Sequence, residues 1–89
     1  MSPENFENLP IEEKIALKKW VIKGLNGEII KELKELRRLY GLKPHDPIKR
    51  IIRAAGVNAE FQMQKYHNLI ARLDTENQAI SKLELSQRI

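Results

Sequence analysis

Apolar residues return along this chain at three- and four-residue steps, a spacing that predicts helices. The longest stretch without Pro or Gly is Val57 to Ile89. Gly56 should end the element before it, and Asn58 can N-cap a new helix by accepting a hydrogen bond from a first-turn amide. Tyr66, Leu69, Leu73, Ile80 and Leu83 then fall at heptad positions a, d, a, a and d. Glu76 stands at the missing d position, and Met63 and Ile70 widen the stripe. A helix over this span would be about 48 Å long. The 56 residues before it would build a bundle only about 20–25 Å across. The helix is therefore expected to overhang its core and to cover its apolar edge by forming a homodimer. Two other outcomes fit the same residues: a break near Asp74–Asn77 with the tail folded back, or a frayed end over Ser81–Ile89.

Three shorter helices are predicted before it. The first runs from about Pro10 to Lys23, with proline tolerated in its opening turn. Ile11, Ile15 and Ile22 lie on one side of it and Ala16, Leu17, Trp20 and Val21 on another, with four lysines between. A helix apolar on two sides is usually central in a bundle, so Trp20 is read as core. A tryptophan among lysines also suits a membrane-surface anchor or a stacking platform. Gly24-Leu25-Asn26-Gly27 reads as a turn. The second helix, about Glu28 to Tyr40, has the stripe Ile29, Leu33, Leu36 and Tyr40, with Lys31, Lys34 and Arg38 opposite and Glu28, Glu32 and Glu35 between. Gly41 should cap it. Asp46-Pro47 reads as a helix start, and the third helix, to about Ala55, sets Ile48, Ile51, Ile52 and Ala55 against Lys49, Arg50 and Arg53. The expected core is Ile15, Trp20, Ile22, Ile29, Leu33, Leu36, Ile48, Ile51, Ile52 and Phe61. The fold class is all-α: a small three-helix unit over residues 1–56 and a long oligomerisation helix over 57–89.

At 89 residues the chain makes one small unit, whose core alone is marginal. Without cysteine there is no disulfide framework and no thiol chemistry. No apolar run of membrane-spanning length occurs, and the acidic Met-Ser-Pro-Glu start is unlike a signal peptide, so a cytoplasmic protein is expected. The net charge of +4 is unevenly spread. Residues 1–13 carry −4, residues 14–56 carry +8 and residues 57–89 are neutral. Such asymmetry points to an anionic partner for the middle segment.

The second and third helices have the outline of a helix-turn-helix. In that geometry the third helix lies in the major groove of duplex DNA. Lys49, Arg50 and Arg53 would reach base edges or phosphates, while Lys31, Lys34, Arg38 and Lys43 hold the flanking backbone. Three features depart from the motif: a long connection, Arg37 where a small residue fits better, and Asp46 near the end that should approach DNA. RNA recognition would want more exposed aromatic rings than the chain offers, Phe6 being the one candidate. His45 and His67 have no ligand-like partners, and no phosphate loop or nucleophile constellation is present, so neither catalysis nor a cofactor is expected. The alternative role is a protein–protein adaptor that docks its long C-terminal helix on a partner.

Overall fold

The computed structural model describes residues 8–88; Phe6 and the acidic N-terminal residues before Asn8 lie outside them. Ile11, Ile15, Ile22, Leu25, Ile29 and Leu36 share one face only if the chain keeps turning at 3.6 residues per turn, and it does. A single 29-residue helix, α1, runs from Ile11 to Leu39. The turn expected at Gly24–Gly27 is therefore absent, and the two predicted helices are one. Each mid-helix glycine costs about 1 kcal/mol relative to alanine. Burying Leu25, 4% exposed between them, returns about 1.5–3 kcal/mol. A turn there would forfeit that burial and would also put Ile22 and Ile29 out of line.

After α1 come a short helix α2 (Ile48–Ala55), a 3-10 turn (Gly56–Asn58), a single turn α3 (Ala59–Gln62) and the long α4 (Gln64–Arg88). The all-α class and the long C-terminal helix are as expected. The overhang is not: α4 lies antiparallel along α1. The reason is the fused first helix, about 44 Å long, which spans nearly the whole 48 Å of the molecule. The segments expected as separate units, on either side of residue 56, share one seam.

Two ion pairs mark that seam. Lys18 Nζ meets Glu76 Oε2 at 2.9 Å, and Lys65 Nζ meets Glu32 Oε2 at 3.5 Å. Lys18 and Glu32 occupy the same heptad line as the apolar residues of α1, and Glu76 fills the gap in the line of α4. The polar interruptions of the two helices thus answer each other, a device that selects one register out of several apolar ones. Continued from Lys18–Glu76, the register brings Ile15 level with Ile80, Ile22 with Leu73 and Leu25 with Leu69. Ile15, Leu25, Leu69 and Ile80 are all buried.

The far end of the hairpin carries a compact head. Leu36, Ile51 and Met63 form its buried centre, with Leu33, Tyr40, Leu42, Ile48 and Tyr66 packed around them. Gly41, at φ +66°, ends α1 as expected: the Leu42 N–H donates to the Arg37 carbonyl at 2.7 Å and the Gly41 N–H to the Arg38 carbonyl at 3.2 Å. Gly56, at φ +60°, ends α2.

Several local expectations are corrected. Asp46 does not cap α2; its carboxylate accepts from the Lys43 N–H at 2.7 Å, and the helix begins one residue later than read, at Ile48. Asn58 makes no cap bond either. The chain passes instead through the 3-10 turn and α3, then breaks at Met63, which enters the head core at 1% exposure. Trp20, Phe61 and Ile52 were expected inside and are 73%, 76% and 44% exposed. Trp20 projects away from the buried line of α1 into solvent, and Phe61 and Ile52 lie on outward sides of elements that pack by one face only.

Candidate nucleic-acid interface

Between Arg37 and Arg53 the chain has six Lys or Arg residues and one carboxylate. The structure puts most of that charge in solvent. Lys49, Arg50 and Arg53 project from the side of α2 away from buried Ile51, and all three are exposed. No acidic residue stands in the first turn of α2. Lys31, Lys34 and Arg38 are exposed on α1, on the arc away from buried Leu36, and Lys43 is exposed in the connection. Of these seven side chains only Arg38 is ion-paired among the described residues, to Glu35 at 2.9 Å on the open surface. A pair so exposed contributes little and yields readily to a phosphate.

The features that depart from a helix-turn-helix have structural explanations. Arg37 Nε donates to the Asp46 carbonyl at 2.8 Å, so this side chain ties the long connection back onto α1. The Asp46 N–H also donates to the Lys43 carbonyl at 3.0 Å, closing a turn over Lys43–Asp46. The Asp46 carboxylate, half-buried and bonded to the Lys43 amide, faces its own loop. A small residue at position 37 would remove the clamp that this eight-residue connection uses.

The residues read as an oligomer interface have a different fate. Leu69 and Ile80 are buried, and Tyr66, Leu73 and Leu83 are half-buried, along the side of α4 that meets α1. One chain covers its own seam. His45 and His67 are both exposed; the His67 ring lies 5.6 Å from that of Tyr66, tilted by 57°. Among the described residues no three His, Cys, Asp or Glu side chains gather in a metal-binding group. No helix among them is long and apolar enough to cross a membrane.

A second surface surrounds Trp20, read from the sequence as core, with a stacking platform or membrane anchor as the alternatives. Trp20, Lys23, Gly24 and Glu28 of α1 and Arg72 of α4 line a groove of about 420 Å³. The signal available was Trp20 between Lys19 and Lys23, which became legible as a surface once Gly24 and Gly27 were seen to be helical. A third exposed area, at the head, is lined by Val57, Phe61 and His67. No family model, curated protein or solved structure matches the chain.

Proposed function

We propose that the chain is a non-enzymatic protein that binds duplex DNA through the basic side of its head. The observation that carries this reading is the exposure of Lys49, Arg50 and Arg53 on α2, with no acidic partner among the described residues, beside a loop whose one carboxylate is bonded to its own backbone. The major groove admits an α-helix, and an arginine there can bond two acceptors of guanine at once. Lys31, Lys34, Arg38 and Lys43 are suited to phosphates, where contacts set register and release counterions.

A single chain suffices for this reading, because α1 buries Leu69 and Ile80 of α4 and half-covers Tyr66, Leu73 and Leu83. A homodimer through Leu69 and Ile80 would have to displace α1, and so would an adaptor that docks α4 by that same face. The test is a fluorescence-polarisation titration of labelled random duplex DNA at two salt concentrations. Binding should weaken steeply with salt, each phosphate contact adding about 0.9 to the logarithmic slope. Arg50→Ala with Arg53→Ala should abolish retention while leaving the thermal midpoint within error, since both side chains are exposed. Unchanged affinity of the double variant would refute the assignment of α2. Absence of binding at low salt would favour the adaptor.

A further inference from the structure

We infer that the groove beside Trp20 is a binding site for single-stranded nucleic acid, in which a base stacks on the indole and the neighbouring phosphates meet Lys23 and Arg72. Trp20 is the most exposed aromatic residue of the hairpin shaft, at 73%. An exposed ring gives every base a π-face to stack on, with little regard to sequence.

The charges around it are arranged unlike those elsewhere on the shaft. At the other polar levels the two helices meet with opposite signs, Lys18 with Glu76 and Glu32 with Lys65. The register that pairs Lys18 with Glu76 sets Lys23 of α1 level with Arg72 of α4. Two cations therefore line one groove. Both are exposed, and neither makes an ion pair among the described residues. Glu28, also in the groove, pairs with neither. Two exposed cations lining one groove against a single carboxylate leave it net positive, which favours an anionic occupant.

The glycines support the same conclusion. Gly24 lies one helical turn beyond Trp20, and Gly27 one turn further. Neither has a positive φ, and a Cβ added at either would meet nothing within 4 Å. Packing and backbone conformation therefore give no reason to prefer glycine over alanine there, although glycine weakens the helix. What Gly24 does is leave the backbone bare in the groove that holds the indole. A volume of about 420 Å³ falls within the range of small-ligand sites, about 300–1,000 Å³.

A lipid surface fits less well. An interfacial helix needs a broad apolar face, and the outward arc of α1 offers Trp20 and Ile30 among Lys19, Lys23, Lys31 and Lys34. The site is also distinct from the α2 surface of the head, so the two can be tested apart.

Trp20 is the chain's one tryptophan, so its emission reports this groove alone. The experiment is a titration of the full chain with a short oligothymidylate, followed by tryptophan emission at low salt and again at higher salt. Saturable, salt-sensitive quenching is expected. Lys23→Ala with Arg72→Ala should weaken it and flatten the salt dependence. Gly24→Leu, which fills the open space, should remove the quenching yet raise the thermal midpoint. Trp20→Ala should lower the affinity for labelled oligothymidylate about ten-fold by polarisation. Lys49→Ala, Arg50→Ala and Arg53→Ala together should leave the quenching intact, so failure of the duplex reading would not be mistaken for failure of this one. The inference is overturned if no quenching occurs, if the triple variant abolishes it, or if inorganic polyphosphate or polyglutamate quenches equally well. It is also overturned if anionic phospholipid vesicles quench and the oligonucleotide does not.

Discussion

The shaft and the head of this molecule treat charge in opposite ways. Along the shaft, Lys18 and Glu32 sit on the apolar line of α1 and are each met by an opposite charge from α4. In the head, Lys49, Arg50 and Arg53 sit off the packed face and make no ion pair among the described residues. The first arrangement specifies which residues lie beside which. The second leaves positive charge exposed to solvent. The difference shows that cation count alone is a poor guide to function: the same residue type sets a register in one region and forms an open surface in the other.

The comparison can be broken most severely at the junction of the two regions. Leu36, 4% exposed, belongs to α1 and to the head core. Leu36→Ala should destabilise the protein by about 2–5 kcal/mol, a large part of the stability of so small a fold, as read by denaturant unfolding. A loss under about 1 kcal/mol would mean that the head does not pack on α1 as described. A charge swap probes the shaft. Glu76→Lys sets two lysines together at a half-buried level and should cost about 1–3 kcal/mol. Adding Lys18→Glu should restore most of it, and additive losses in the double variant would show that the two side chains do not meet. The smallest effect is a gain. Gly24→Ala and Gly27→Ala should each stabilise by up to about 1 kcal/mol, because both positions are helical and open. A loss at either would restore the turn in place of the continuous helix.

Much of the fold was legible in the residues, and the gaps have identifiable physical causes. The helical steps, the stop at Gly41 and the stop at Gly56 depend on neighbours close in sequence, and a linear reading captures them. Gly24 and Gly27 mislead because their local preference is for a turn, while the opposing term, burial of Leu25 against α4, comes from residues more than forty positions away. The continuity of α1 decides what α4 packs against. With α1 split, α4 had nothing of its own length to lie on, so a second chain was needed to cover Tyr66, Leu69, Leu73, Ile80 and Leu83. A two-sided apolar helix suggests two neighbours and so a buried Trp20; among the described residues α1 has one over that length. Glu76 looked like a flaw in the heptad pattern, and only the position of Lys18 turns it into a register pin. The exposed cations of α2 were easier, since Ile48, Ile51 and Ala55 mark its inner side and Lys49, Arg50 and Arg53 then point outward. Whether DNA meets them is a matter for the titration at two salts.

The central claim is that one chain covers its own long apolar seam by pairing α4 with α1. Small-angle X-ray scattering at micromolar concentration tests it most directly, because one profile yields both mass and shape. The expected result is a particle of 10.4 kDa with a radius of gyration close to 16.9 Å, compatible with a hairpin 48 Å long. A particle of about twice that mass, clearly longer than the hairpin, would contradict the claim and give the seam of α4 to a second copy.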